Sequence, residues 1–198
     1  MIAPYGLAMD AYHRYTFNST PMPGVTSVMK DLNLIETEWF TDEARERGRD
    51  VHDASLFLDE GTLDRGSLTR TVAGYLAGYE RFLMDFRPDW THMEAMLCDT
   101  SAWYAGTLDR AGAIKPYSFR GRLHRKAIID LKTGDYSTAA LQLAAYRRCI
   151  DDEPHAYLRI AIKLRSNGEY SAIPFTDPRD ERRFISALDL WNFKNDRA

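Results

Sequence analysis

The chain has 198 residues, 44% of them hydrophobic and 28% charged, with a net charge of −3, which fits one soluble domain with a sizeable core. No run approaches the roughly 18 apolar residues of a membrane span, and no basic segment leads into an apolar core at the start, so the expectation is a cytoplasmic protein with no secretory signal. Cys98 and Cys149 match no zinc or iron–sulfur spacing and are expected to be small buried apolar residues, without a disulfide.

Residues 1–24 read as irregular, with HRYTF as a short strand, and 25–39 as a short helix or turn-rich segment. A helix is predicted from an N-cap at Thr41, with Asp42 and Glu43 in its first turn, to about Asp59 and a stop at Gly61. A second starts near Ser67 and runs to about Phe86, ahead of Pro88. Three strands follow at 92–98, 103–114 and 124–132, then a helix at 137–150 capped by Ser137. AYLRIAIKL (156–164) alternates as a half-buried strand, SNGE turns into YSAIPF, and apolar residues recur at helical spacing from 180 to 193. The fold class is therefore α/β (α+β) in one domain, with a mainly helical part at 1–88 and a mixed-sheet core at 89–198.

GTLDR occurs at 61–65 and again at 106–110. Its flanks differ, so the first copy reads as a linker and the second as part of a site. In IIDLKTG (128–134) two isoleucines enter a buried strand, and Asp130 and Lys132 then share a face because alternate strand residues do. Such a pair is either a strand leaving the core for solvent or a carboxylate ligand beside an activating amine. The preceding strand favours the second: Asp109 and Asp130 directed into one pocket would repel unless a cation lay between them. Oxygen ligands without a cysteine cluster suit Mg²⁺ or Mn²⁺.

The succession AGTLDR, IIDLKTG, LQLAAY resembles the PD-(D/E)XK nuclease superfamily, in particular its RecB-type exonuclease branch, which includes phage and CRISPR-adaptation exonucleases. That branch runs through a Gly-x-x-x-His helix, a strand glutamate, a Gly-x-x-Asp strand, an Asp-x-Lys strand and a Gln-x-x-x-Tyr helix. All five occur here in order, between about residues 48 and 146. The resemblance implies a restriction-endonuclease-like core with a central mixed sheet flanked by helices. It implies metal ligation by His52, Asp109, Asp130 and the Leu131 carbonyl, with Glu94 assisting, Lys132 catalytic, and Gln142 and Tyr146 bordering the site. By residue type alone His52 reads equally as a surface or satisfied core histidine, Glu94 as a solvent-facing glutamate, and Tyr146 as a buried helix–sheet contact. Gly48, on the face of His52, is expected to let its helix approach the sheet. TPMPGVTSVM loosely resembles the opening of phage members.

With two cysteines there is no iron–sulfur cluster, and without GxxxxGK[ST] there is no helicase motor. The acid-free stripe of Lys115, Arg120, Arg122, Arg125 and Lys126 is expected to be a loop contacting DNA phosphates. The expected activity is DNA hydrolysis in processing, recombination or repair, in the cytoplasm or that of a host if a phage encodes it. A recombination or replication protein is an expected partner, and oligomers are known among phage relatives. The competing readings are a nucleic-acid-binding or assembly protein on the same scaffold without turnover, and a hydrolase of small phosphate esters.

Overall fold

Two threonine caps set the helical layer. In the computed structural model, which describes residues 4–35, 41–150 and 153–195, the Thr41 hydroxyl accepts from the Ala44 amide and opens a long helix. That helix is the second of the chain: α1 is Val25–Asp31 and α2 is Asp42–Asp59. Gly61 stops α2 in the left-handed region, at φ +71°, where a side chain would be strained. The next helix, α3, covers Arg70–Phe86 and is capped by Thr69 rather than Ser67. Ser67 instead closes a short 3-10 turn, bonded to the Asp64 carbonyl. The predicted segment 25–39 is helical to Asp31, and its end, from 36 on, lies outside the described residues.

The chain begins with strands that the sequence reading placed only in part. β1 (Leu7–Met9), β2 (Tyr15–Phe17) and β3 (Thr20–Met22) form a small antiparallel sheet. The main sheet has five strands in sequential order: β4 (Asp89–Asp99), β5 (Tyr104–Phe119), β6 (Arg122–Lys132), β7 (Tyr157–Leu164) and β8 (Tyr170–Phe175). Neighbours are antiparallel except β6 and β7, which run parallel. That parallel pair requires a crossover, and α4 (Ala139–Arg148) supplies it. The helix α5 (Arg179–Asn195) follows β8. Ser137 does not cap α4; it bonds to the Asp135 carboxylate, and Thr138 occupies the cap position.

The sheet is thus mixed and covered on both faces, as its apolar strands require. On one face α4 and α5 pack through Leu143, Ala145, Tyr146, Phe184 and Leu188 against Tyr104, Leu108 and Ile128. On the other, Val51, Ala54, Leu76, Tyr79 and Phe82 of α2 and α3 cover Ile129, Leu131, Ile160 and Ile162. Among the described residues no helix is long and apolar enough to cross a membrane. Cys98 and Cys149 are half-buried, less enclosed than expected.

Candidate metal centre

The site lies where β5 and β6 part. Their register ends at Arg110↔Ile129; beyond it β6 stays with β7, while the start of β5 stays with β4. Residues 23 and 24 enter beside β5: the Ala105 amide donates to the Pro23 carbonyl at 2.9 Å, and Gly24 bridges Ala105. Continuing the two registers by one residue sets Glu94, Asp109 and Asp130 in a row across β4, β5 and β6.

The row is also where strand alternation breaks. Tyr104 and Leu108 face the α4–α5 layer, and simple alternation would send Arg110 the same way. Arg110 instead points into the opposite layer, bonding Asp59 and Ser55 of α2. On β4, Glu94 has a left-handed backbone, φ +41°. Irregularities of this kind re-aim side chains, and they cluster beside sites.

His52 comes to the row from α2. Its Nε2 lies 3.1 Å from the Leu131 carbonyl oxygen, an arrangement that fixes the N–H on Nε2 and leaves the Nδ1 lone pair free. Nδ1 faces the acids, 3.8 Å from Asp109 Oδ2 and 4.0 Å from Glu94 Oε1. Ligands at about 2.1–2.2 Å from one ion lie at most about 4.4 Å apart, so both spacings suit a shared cation. One donor atom from each of His52, Glu94 and Asp109 lies within 4.8 Å of the others. The Leu131 carbonyl, expected to face the ion, is here the acceptor for the imidazole. The Leu131 amide donates to Asp109 Oδ2 at 2.6 Å, closing the fork.

Asp130 stands at the inner end of the row. Lys132 Nζ donates to its Oδ1 at 3.0 Å and to Gln142 Oε1 at 3.2 Å, while Gln142 Nε2 donates to the Thr26 hydroxyl at 3.3 Å. Asp130 Oδ2, though 2.9 Å from the ammonium, is buried and accepts no well-aligned hydrogen bond. Burial pushes the Asp130 carboxyl up to about 6, Asp109 adds to the rise, and Lys132 and His52 oppose it. Burial also raises Glu94, with Asp109 adding and Arg110 and His52 opposing. For Lys132 burial pulls downward, yet Asp130 and Asp109 hold the ammonium above the usual lysine value. Crowded carboxylates that resist ionisation, one with an oxygen lacking an aligned donor, are what a divalent cation would relieve.

Tyr146 is buried, its phenol raised by burial first and then by Tyr15 and Asp130. Its ring rests on β5 where Gly106 has no side chain: a Cβ there would stand 2.5 Å from Cε1. Gly48 answers its expectation differently. A Cβ would meet only Thr133 Oγ1, at 3.8 Å, an ordinary contact, so the glycine is not needed for α2 to approach the sheet.

The basic stripe is a correction in form. Rather than a loop, its residues lie on the arms of the β5–β6 hairpin, with the turn at Arg120 and Gly121. Lys115, Arg120, Arg122 and Arg125 are exposed. Lys126 lies 3.5 Å from Glu153 and over the Tyr157 ring. At about 3.3 Å per strand residue, the tip is about 30 Å from Asp130. The hairpin tip and the acid row are therefore not brought together.

Arg110, Asp59, Ser55 and Thr26 were missed as site neighbours. Thr26 lay in the TPMPGVTSVM segment already singled out. For Arg110 the repeated GTLDR held the signal, since the two copies part company in their surroundings. In the first, Asp64 accepts from the Gly66 amide and Arg65 pairs with Glu80 at the surface; in the second the arginine is fully buried. No protein-family model and no curated protein matches the chain.

Proposed function

We propose that this protein is a Mg²⁺- or Mn²⁺-dependent nuclease of the PD-(D/E)XK type that hydrolyses phosphodiester bonds in DNA, with exonucleolytic action of the RecB kind. The observation that carries the reading is the convergence of His52 Nδ1, Glu94 and Asp109, beside a buried Asp130 and an ammonium that touches it. His52, Glu94 and Asp109 would hold the ion, with Asp130 beside them, its oxygens against the Lys132 ammonium. The ion would supply a polarised phosphoryl oxygen and an acidified water.

The chain's own residues do the rest. Asp130 and Gln142 orient Lys132, whose positive charge stands ready for the negative charge that accumulates at phosphorus during attack. Thr26 fixes the amide of Gln142, so the N-terminal segment shapes the wall of the site. The Leu131 carbonyl fixes the His52 tautomer. DNA running from the acid row to the hairpin tip would span about 30 Å, on the order of nine base pairs at 3.4 Å each. Action in recombination or repair, in the cytoplasm of a cell or host, alongside a targeting partner or as an oligomer, belongs to the same reading.

The test is digestion of end-labelled linear and closed circular DNA with Mg²⁺ and with Mn²⁺, using wild type and Lys132→Ala. Loss of label from linear DNA alone supports an exonuclease, and cleavage of circles an endonuclease. Full activity in Lys132→Ala contradicts the site. Binding without cleavage under every metal favours the assembly protein instead.

A further inference from the structure

A fully buried guanidinium is costly unless every donor is matched, so the partners of Arg110 show what its burial serves. Nε donates to Asp59 Oδ2 at 2.7 Å, and that same oxygen accepts from the Tyr79 hydroxyl at 2.7 Å. Nη1 donates to the Asp109 carbonyl at 2.7 Å, and Nη2 lies 3.4 Å from the Ser55 hydroxyl. Three anchors, from α2 and from β5 itself, fix the plane of the fork. The remaining contact is the exception: Nη1 donates to Glu94 Oε1 at 2.8 Å, and the Glu94 side chain is 32% exposed, facing His52.

Glu94 also needs holding. A left-handed backbone on a non-glycine residue is strained and persists only when its surroundings impose it. We propose that Arg110 is the positioning residue of the metal centre, a buried guanidinium clamped by Asp59, Ser55 and the Asp109 carbonyl that sets the Glu94 carboxylate opposite His52. This rests on the metal-dependent reading above and adds a residue to it. The fork geometry is what matters: a lysine would bring charge without the planar set of donors.

The experiment is Mn²⁺ titration followed by electron paramagnetic resonance, with urea unfolding alongside. It compares wild type, Arg110→Lys, the paired variant Asp59→Asn/Arg110→Met, Glu94→Gln, and the paired variant combined with Glu94→Gln. The paired variant leaves no unpaired buried charge, and it is expected to bind Mn²⁺ about 10- to 100-fold more weakly while unfolding cooperatively. Arg110→Lys recovers part of that affinity, and it carries the comparison with wild type if the paired variant does not fold. Added to Glu94→Gln, the paired substitutions should cost little more, since their effect passes through Glu94. Equal affinity in wild type and the folded variants overturns the role of Arg110 and leaves the metal centre standing. An undiminished loss in the Glu94→Gln background overturns it too. A wild type that binds no Mn²⁺ overturns the metal centre and this role with it.

Discussion

Arg110 and Arg159 stand on opposite faces of one sheet, and both are fully buried. Arg159, on β7, donates to the Ala140 carbonyl at 2.8 Å, the Asp177 carbonyl at 2.9 Å and Asp180 Oδ2 at 3.0 Å. It ties the crossover helix and the start of α5 to the sheet, and its carboxylate partner is buried with it. Arg110 ties α2 to the sheet in the same way through Asp59, then spends one more donor on a half-exposed acid. Equal burial therefore does not mean equal work. One arginine closes a helix–sheet joint, and the other leads from such a joint to a place where carboxylates gather.

Breaking each joint alone gives the largest effect. Removing one member of a buried ion pair costs about 3–5 kcal/mol. Arg159→Met should lie near the lower end, because Arg183 still reaches Asp180 at 2.8 Å. Urea unfolding measures the loss, and Mn²⁺ affinity of the folded protein should not change. Arg110→Met, leaving Asp59 unpaired, should lose at least as much and weaken Mn²⁺ as well. If Arg159→Met weakens Mn²⁺ equally, the contrast between the two faces fails.

A second effect belongs to the α4 side of the fork. The folded protein holds the Asp130 proton up to about 6, above the ordinary 3.8. Between those values the folded state binds more protons than the unfolded chain, so the contribution of this group to stability is present below about pH 4 and is lost as pH rises through 6. Wild type minus Asp130→Asn, by thermal unfolding without metal, should show that decline. Conversely, the gain in Tm on adding Mn²⁺ should be larger at pH 7.5 than at pH 5, where the metal must displace the proton. A gain that does not vary with pH would separate Asp130 from the ion.

Two glycine substitutions sharpen the comparison further. Gly106→Ala should cost about 1–3 kcal/mol, since the Tyr146 ring occupies the space. Gly48→Ala should raise stability by about 0.5–1 kcal/mol, because the helix gains propensity and the added methyl meets nothing closer than Thr133. Thermal melting checks both, and destabilisation by the second would show that α2 is seated more tightly on the fork than its contacts imply.

What could be read from the letters follows the range of the forces involved. Thr41 and Gly61 declare themselves within a few residues, and the helix they bound stands as expected. The strand read at 156–164 also forms, from Tyr157, but helices on both sides of the sheet bury both of its faces, where alternation had suggested a half-buried one. Caps competing over one or two residues did not: Ser67 and Ser137 each found an aspartate neighbour and ceded the helix start to the next threonine. The acids of the site were legible as residue types at a spacing. Their directions were not, because the break in alternation between Leu108 and Arg110 comes from what surrounds the strands. Thr26 is joined to Gln142 across 116 residues, a link that no local pattern encodes.

The seat of Tyr146 on Gly106 also gives a rule for finding kin. A chain sharing this architecture can carry a bulkier residue at position 106 only if position 146 is correspondingly reduced, so the two positions should vary as a pair. Such paired change, found in a divergent sequence that keeps the acids, would mark common descent where overall similarity has faded.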